Sequence, residues 1–487
     1  MDSNTFIPPA FIEKMSVLLP DNLNVDDFVA ACRRPLRRAI RVNTLKISVA
    51  EFQLRAEQHN WILSPIPWCS EGFWIQVKDD NEEDKKLNLL GNSAEHLAGL
   101  CYIQEASSMM PVAALFHFFK QTNTSILLDA AAAPGSKTTQ IAAQMDNQGL
   151  IIANEFSSSR IKMLHSNIQR CGIKNVALTH FDARVFGNWL PETFDAILLD
   201  SPCSGEGTIR KDKNAMKNWS ETSIKEIAVM QKELINSAFH ALKPGGFLIY
   251  STCTLSHEEN QEVIRDLQKS NPNEVSLLNL ATLFPDASKT LTHEGFLHIW
   301  PQVYDSEGFF VAALQKTGNS KNLHIKTRPA KFPFTKPTQT DLESLLSYFS
   351  NQYGITKLTG VIYQREQEFW LFPMEIEPLM DKIRFSRLGI KIAEKFGKGK
   401  KSGFKTMHEF ARCFGDLSEK NNISLSAEQA NDFYQGKDLR EVDCKNMSGE
   451  ILVNYRGNII GIGKALNDRI KNNLPRDLTH DKKLFEY

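Results

Sequence analysis

Residues 125–143, with the sequence SILLDAAAAPGSKTTQIAA, decide the fold. The apolar run 126–128 is typical of a buried strand, and it ends at Asp129. Small residues and the pair Pro134-Gly135 then predict a tight turn, and the apolar residues 141–143 form one face of a following helix. The stretch therefore predicts a strand, a turn and a helix in direct succession.

A turn of this kind is where open α/β sheets bind nucleotide-like ligands, because helix amides and a strand-end acid converge on one crevice. The turn has neither the G-x-G-x-x-G pattern of dinucleotide folds nor the Gly-Lys pair of a Walker loop. It favours a small ligand that carries a carboxylate, bound where Ala131, Ala132 and Ala133 let the backbone come close. Tight packing of the helix on the strand would explain the alanines equally well.

Strands and helices alternate from residue 125 to about residue 316, which predicts a doubly wound, mostly parallel α/β sheet. Further strands are predicted at 150–155, 176–182, 194–200 and 245–253, and helices at 157–171, 220–242 and 257–269. Residues 296–300 and 308–314 predict an antiparallel pair that closes the sheet at its edge.

The length of 487 residues predicts two to four domains, because one core rarely exceeds about 250 to 300 residues. Proline-rich residues 330–337 indicate a boundary near 320–335. The predicted division is an N-terminal RNA-binding extension, an α/β core, a small mixed linking domain and a β-rich end with a hairpin at 449–466. Their predicted bounds are 1–120, 121–318, 330–395 and 396–487.

Charge is balanced, with 57 basic and 57 acidic residues, so any contact with nucleic acid must come from local patches. Residues 33–41 hold five arginines, which would suit a phosphate-facing surface or a solvated face. Residues 382–405 hold nine basic residues and one acid. Phe385, Phe396 and Phe404 interleave this charge, which favours RNA over a bare solvated face.

Targeting signals and metal motifs are not evident in the sequence. The first residues lack a basic-then-apolar leader, and no apolar run reaches membrane-spanning length. The eight cysteines stand singly, without a C-x-x-C pair. We therefore expect a cytoplasmic protein that uses neither a membrane nor a metal ion.

Three acids end successive predicted strands of the α/β core. Glu155 ends the second strand, where an acid can accept hydrogen bonds from both hydroxyls of a ribose. Asp182 ends the third and could accept from an adenine amino group. Asp200 ends the fourth. Each acid alone is an ordinary loop carboxylate, but the three together favour a nucleoside ligand.

Two cysteines follow neighbouring strand ends. Cys203 lies in residues 200–207 (DSPCSGEG), and Cys253 lies in residues 251–254 (STCT). A buried thiol is usually an inert small hydrophobe. As a pair beside Asp200, these two predict covalent catalysis. The chemistry of the residues alone does not decide which thiol attacks.

The stretches AAAPGSKTTQ (131–140), DSPCSGEGTIRKD (200–212), STCTLSHEEN (251–260) and RVNTLK (41–46) resemble the motifs of the RNA cytosine-C5 methyltransferases. The likeness also covers KIRFSRLGIK (382–391) and a C-terminal part similar to a PUA domain. It is strongest to a bacterial member that modifies 16S ribosomal RNA in the decoding region. Many relatives have Cys at the position of Ala131 and Gly at that of Ser136, a difference that affects side-chain contacts and not the backbone turn.

The resemblance implies a fold, a cofactor and a partner. The fold is a seven-stranded, Rossmann-like class I methyltransferase sheet. The cofactor is S-adenosylmethionine, without a metal, and the partner is 16S ribosomal RNA within the small ribosomal subunit, not DNA. The implied cofactor site consists of Ala131, Ala132, Ala133, Pro134, Gly135, Ser136, Lys137, Glu155, Asp182 and Asp200.

The resemblance also implies catalytic roles. Cys253 attacks C6 of the cytosine, and Cys203 assists release of the methylated base. Asp200 contacts the ring at N3, with Lys137 as its possible partner. Two alternatives stay open: a non-catalytic ribosome-assembly factor that only binds RNA, and a DNA methyltransferase that attacks through its Pro-Cys motif, as DNA cytosine-C5 methyltransferases do.

Overall fold

The structure, a computed structural model, describes residues 5–77, 90–319, 332–397, 402–440, 442–444 and 447–479. Residues 398–401 of the basic stretch and residues 320–331 at the predicted boundary lie outside these ranges. Among the helices in the described ranges, none has the length and apolar character needed to cross a bilayer.

The N-terminal part combines helices with a four-stranded antiparallel sheet in the order β2-β3-β1-β4. Its helices are α1 (Pro9–Leu18), α2 (Val25–Cys32), α3 (Val49–Gln58) and α4 (Ala94–Leu97). Its strands are β1 (Ala39–Val42), β2 (Trp61–Ile66), β3 (Cys69–Val77) and β4 (Cys101–Ile103). Strand β1 includes Arg41, the last arginine of the stretch 33–41.

The central part is the predicted doubly wound sheet. Its strands are β5 (Ile126–Asp129), β6 (Leu150–Asn154), β7 (Val176–Thr179), β8 (Phe194–Asp200), β9 (Leu242–Thr252), β10 (Val275–Leu278), β11 (Leu297–Ile299) and β12 (Phe309–Lys316). Its helices are α5 (Met110–Phe118), α6 (Ser136–Gln144), α7 (Ser158–Cys171), α8 (Phe186–Trp189), α9 (Glu221–Ala241), α10 (Gln261–Ser270) and α11 (Pro301–Tyr304).

The strand order β10-β12-β9-β8-β5-β6-β7 explains why the strand-end residues meet. Strands β5 to β9 run parallel, so their carboxyl ends share one edge of the sheet. Strand β6 is buried along its whole length, as expected for a parallel strand covered by helices on both faces. This topology is the seven-stranded sheet that the resemblance implies.

The edges of the sheet differ from the sequence prediction. The antiparallel pair of β11 with β12 is confirmed. However, β12 lies between β9 and β10, so β10 is an edge strand that the prediction missed. At the other edge, β15 (Arg387–Leu388) from the third part of the chain pairs with β7. The sheet therefore reaches nine strands.

The C-terminal parts contain two smaller sheets. The third part has α12 (Gln339–Tyr353), β13 (Val361–Arg365), β14 (Glu368–Phe372), β16 (Ile390–Phe396), β17 (Gly403–Thr406) and α13 (His408–Phe414), with sheet order β13-β14-β16-β17. The fourth has β18 (Asn422–Ser424), α14 (Ala427–Tyr434), β19 (Leu439–Arg440), β20 (Glu450–Tyr455), β21 (Asn458–Ala465) and β22 (Arg469–Asn472). The predicted hairpin is β20 with β21. The predicted division between residues 395 and 396 falls inside β16, which pairs with β17 beyond it.

One arginine of the stretch 33–41 does not face phosphate. Arg41 is 2% exposed, and its guanidinium donates to Gln104 Oε1 at 3.0 Å and to Thr139 Oγ1 at 2.9 Å. It also donates to the backbone oxygen of Ser136 at 3.3 Å. The prediction is wrong for Arg41, because this side chain points inward and fastens the N-terminal sheet to the first turn of α6.

Candidate active site

The conformation of the turn between β5 and α6 is fixed by a left-handed glycine and by backbone hydrogen bonds. Gly135 precedes α6 with a φ of 107°, a left-handed conformation that suits glycine, and a Cβ there would lie 2.9 Å from Leu164 Cδ1. The Ala132 N–H donates to the Asn154 oxygen at 2.8 Å, and the Ala133 N–H donates to Glu155 Oε2 at 3.3 Å. The turn therefore lies directly beside the end of β6, as the strand order requires.

Glu155 is buried at the carboxyl end of β6. Its Oε1 accepts the Ser157 N–H at 2.8 Å, and Arg160 Nη1 lies 3.6 Å from Oε2. The next residue, Phe156, is 71% exposed, although it is large and apolar. The sequence prediction missed Phe156, and an aromatic residue directly after a strand-end acid was the available signal.

Two other acids differ in their surroundings. Asp129 ends β5, whereas Asp182 follows β7 by three residues, so the prediction that it ends a strand is wrong. Asp182 is half-exposed, and Arg184 donates to both of its oxygens, which lowers the pKa of this carboxyl. Asp129 is fully buried and accepts from Thr138 Oγ1 at 2.6 Å, and burial raises its pKa to about 7. Asp129 Oδ1 has no hydrogen-bond partner within the described part of the chain.

Lys137 and Asp200 form an ion pair across the carboxyl edge of the sheet. Lys137 Nζ lies 2.6 Å from Asp200 Oδ2 and also donates to Ser108 Oγ at 3.1 Å. Asp200 Oδ1 accepts from Ser251 Oγ at 2.7 Å. Burial would lower the pKa of Lys137, but the charges of Asp200 and Asp129 and the hydrogen bond to Asp200 raise it. Lys137 therefore stays protonated.

The two predicted thiols meet beside this ion pair. Cys203 Sγ and Cys253 Sγ are 3.1 Å apart, and both residues are partly exposed. The hydrogen bond to Cys253, together with burial, raises the pKa of Cys203 well above its usual value. At this distance the two sulfurs can share or exchange a proton, and either can be the donor.

Two buried glutamates, missed by the sequence prediction, hold the two cysteine loops together. Glu206 is completely buried and accepts from the hydroxyls of Thr254 and Ser256, the N–H of Leu255 and the indole N–H of Trp219, at 2.7 to 3.1 Å. Glu259 Oε2 accepts the Ser204 N–H at 2.9 Å. A glutamate flanked by glycines in the SGEG loop was the available sequence signal.

A pair of carboxyl groups lies close to Lys137. Glu307 is 5% exposed, and its N–H donates to Glu105 Oε1 at 3.2 Å. Burial, with the charge of Glu105, raises the pKa of Glu307 to about 8, while the charge of Lys137 opposes this shift. Its neighbour Gly308 donates to the Gly207 oxygen at 3.1 Å, which ties this pair to the Cys203 loop.

No group of three or more His, Cys, Asp or Glu side chains in the described residues is arranged to hold a metal ion.

The sheet topology, the ligand turn and the acids at the strand ends define a class I methyltransferase. Comparison with solved structures agrees. A methyltransferase homologue from Pyrococcus horikoshii is 34% identical, with a TM-score of 0.51 over 64% of this chain and 100% of that one. NSun6 from the same organism, solved with SFG, has the same fold, with 23% identity and a TM-score of 0.55 over 65% of this chain and all of that one.

The chain belongs to the RsmB/F family of 16S rRNA methyltransferases, whose profile matches residues 117–315. Profiles of the N-terminal, pre-PUA and PUA domains of methyltransferase F match residues 7–106, 334–411 and 420–480. Two relatives named ribosomal RNA small subunit methyltransferase F, from Psychromonas ingrahamii and Vibrio parahaemolyticus, are 64% and 52% identical, each with full coverage of both chains.

Proposed function

We propose that this methyltransferase transfers a methyl group from S-adenosylmethionine to C5 of a cytosine in 16S ribosomal RNA, through a covalent bond between Cys253 and C6. The observation that carries the proposal is the 3.1 Å distance between the sulfurs of Cys203 and Cys253, next to the Lys137–Asp200 ion pair. The two thiols and the carboxyl group share one partly exposed corner of the sheet edge.

The residues of the first turn fit the cofactor. We assign its methionine part to the turn from Ala131 to Lys137, where the first amides of α6 suit a carboxylate and the buried Asp129 Oδ1 suits an ammonium group. Glu155 suits the ribose hydroxyls, and Phe156 offers an exposed ring for the adenine. Asp182 would accept a hydrogen bond from the adenine amino group while it keeps its hydrogen bonds from Arg184. When bound, S-adenosylmethionine supplies the methyl group.

The chemistry requires that cytosine C5 become nucleophilic. The thiolate of Cys253 adds to C6, and the electron pair of the C5–C6 double bond becomes available at C5, which takes the methyl group. The proton that leaves the Cys253 thiol ends on N3, where the Asp200 carboxylate accepts hydrogen bonds from N3–H and from the exocyclic amino group, so that C6 becomes more electrophilic. Lys137 fixes the orientation of Asp200 through their 2.6 Å contact.

Release reverses the addition. Water takes the proton from C5, whose electron pair re-forms the C5–C6 double bond. The bond between Cys253 and C6 breaks, and the departing sulfur keeps the electron pair and recovers the proton held at N3. We assign assistance in this step to Cys203, whose sulfur is close enough to exchange a proton with Cys253. This order of roles, with Cys253 attacking and Cys203 assisting, is the one that the resemblance to the RNA cytosine-C5 methyltransferases implies.

We further propose that the substrate is ribosomal RNA of the small subunit, acted on in the cytoplasm where subunits assemble. A cytosine in paired RNA must leave its stack to reach the thiols, at a cost of about a few kcal/mol. The N-terminal and two C-terminal parts would supply phosphate contacts that offset this cost. We place the boundary between these C-terminal parts after α13, because β16 and β17 belong to one sheet.

The test is methyl transfer from labelled S-adenosylmethionine to naked 16S RNA, to small subunits and to duplex DNA, with 5-methylcytosine identified by mass spectrometry. We expect 5-methylcytosine in one of the two RNA substrates and none in DNA. Transfer to DNA alone would support attack through the Pro-Cys motif instead. If neither RNA presentation is methylated while RNA binding persists, the non-catalytic assembly factor is the better description.

A further inference from the structure

The third part of the chain carries a groove of about 600 Å³ that combines aromatic and arginine side chains. We call it the aromatic–arginine groove. It is lined by Phe332, Phe334, Arg365, Trp370, Arg384, Phe385 and Arg387, with smaller contributions from Pro333, Met380, Ile383, Ser386 and Leu388. Residues 383–388, six of the ten in KIRFSRLGIK, therefore form one wall of a concave surface.

Guanidinium groups of the groove lie over its aromatic rings. The Arg365 guanidinium is 5.2 Å from the centre of the Phe334 ring and 5.5 Å from that of Trp370. The Arg387 guanidinium is 5.2 Å from the centre of the Trp370 ring. Such alternation of cations and π-faces presents flat stacking surfaces flanked by positive charge.

The acids around the groove neutralise only part of its charge. Arg365 pairs with Glu368 at 2.7 Å, and Arg387 pairs with Glu409. Arg384 is exposed and has no salt-bridge partner within the described ranges. A free guanidinium beside partly buried rings complements a phosphate next to a stacked base.

The groove adjoins the ligand edge of the methyltransferase sheet. Strand β15 pairs antiparallel with β7, with Arg387 opposite Leu178, and the Ser386 N–H donates to the Leu178 oxygen at 2.8 Å. Because the two strands are antiparallel, the residues before β15, Phe385 and Arg384, lie toward the carboxyl end of β7, which Asp182 follows by three residues. A strand of substrate that leaves this edge would meet the groove.

We propose that the aromatic–arginine groove binds a single-stranded segment of the substrate RNA, with bases stacked on Phe334 and Phe385 and a phosphate on Arg384. This inference names a binding surface for the proposed RNA substrate and rests on that proposed function. Stacking on aromatic rings tolerates different bases, because every base has a π-face. The groove is therefore a positioning surface with little sequence preference, and the catalytic corner selects the cytosine.

The test measures binding of a short fluorescein-labelled single-stranded RNA to the full chain by anisotropy at several salt concentrations. Phe385→Ala should weaken binding by about tenfold to a hundredfold without changing the salt dependence. Arg384→Ala should weaken binding and reduce the slope of log affinity against log salt by about 0.7 to 1. Arg265→Ala, an exposed arginine on α10 outside the groove, is the matched control and should change neither quantity.

Two further measurements keep the test decisive. Arg384→Ala should have the melting temperature and the S-adenosylmethionine affinity of the wild type, because the Arg384 side chain is exposed. A loss of RNA binding in this variant then reflects the missing guanidinium and not misfolding. RNA substituted with 4-thiouridine should crosslink at residues 332–334 or 384–385. Unchanged RNA binding in both groove variants, or crosslinks confined to other surfaces, overturns the proposal even if cytosine methylation is found. Crosslinks in the groove without methyl transfer would uphold it while the proposed function fails.

Discussion

The sulfurs of Cys203 and Cys253 are 3.1 Å apart, although the two residues are 50 positions apart in the chain. Adjacent parallel strands, β8 and β9, end at the same edge and bring both loops to one corner. The buried Glu206 and Glu259 then fasten the loops to each other. The distance is short enough for direct proton exchange between the two sulfurs.

The Lys137–Asp200 ion pair should be required for turnover. Lys137→Met leaves Asp200 without its 2.6 Å partner and should lower kcat by about a hundredfold or more, as for loss of an oriented acid–base group. The matched control is Lys243→Met, because Lys243 pairs with Asp195 at 2.7 Å near the beginnings of β9 and β8, at the end of β8 opposite Asp200. Steady-state methyl transfer by the two variants checks this, and an equal loss in both would contradict it.

Phe156 should contribute to cofactor affinity and not to stability. Phe156→Ala should raise the Kd of S-adenosylmethionine by about tenfold, since an aromatic contact is worth about 1 kcal/mol or more. Its melting temperature should be unchanged, because the side chain is 71% exposed in the free protein. Calorimetric titration with S-adenosylmethionine measures this Kd, and an unchanged Kd would contradict the prediction. The control is Phe6→Ala, an exposed phenylalanine of the N-terminal part, which should bind the cofactor normally.

Glu206 should stabilise the fold. Glu206→Ala leaves the buried hydroxyls of Thr254 and Ser256 and the indole N–H of Trp219 without their acceptor. The free energy of unfolding should fall by about 2–5 kcal/mol. Glu226→Ala, on the exposed face of α9, should change it by less than about 0.5 kcal/mol. Denaturant unfolding of both variants is the measurement, and equal midpoints would show that Glu206 is dispensable.

Glu307 should make stability depend on pH. Its pKa is about 8 in the folded protein against an ordinary 4.5, so the folded state holds this proton where the unfolded state has lost it. The contribution of Glu307 to the free energy of unfolding therefore falls as the pH rises from 4.5 to 8 and is constant above that.

In Glu307→Gln, the side chain cannot ionise, so the free energy of unfolding should no longer fall with pH on its account. Relative to the wild type, the variant should gain stability progressively between pH 5.5 and 8.5, by more than about 1.4 kcal/mol, the equivalent of one pKa unit. Unfolding midpoints across this range check it, and Glu226→Gln should show no such trend. A pH-independent difference would mean that Glu307 is ionised in the folded protein.

The parts of the site that lie at the ends of strands could be predicted from the sequence. The run 126–128, Glu155 and the two cysteine motifs could be placed because parallel strands expose their carboxyl ends on one edge. The buried position of Arg41 could not be predicted, because the sequence does not distinguish an arginine that donates to buried oxygens from one that faces phosphate. The sequence prediction also missed β10, β15 and Glu206, since short edge strands and buried carboxylates depend on partners far along the chain.

The order of the two thiols is the central claim, and trapping the covalent complex tests it most directly. Each variant, Cys203→Ala and Cys253→Ala, is incubated with substrate RNA and S-adenosylmethionine, and the denatured products are separated by size. We expect Cys203→Ala to accumulate a stable RNA–protein adduct through Cys253, whereas Cys253→Ala should form no adduct and transfer no methyl group. An adduct formed by Cys253→Ala would contradict it.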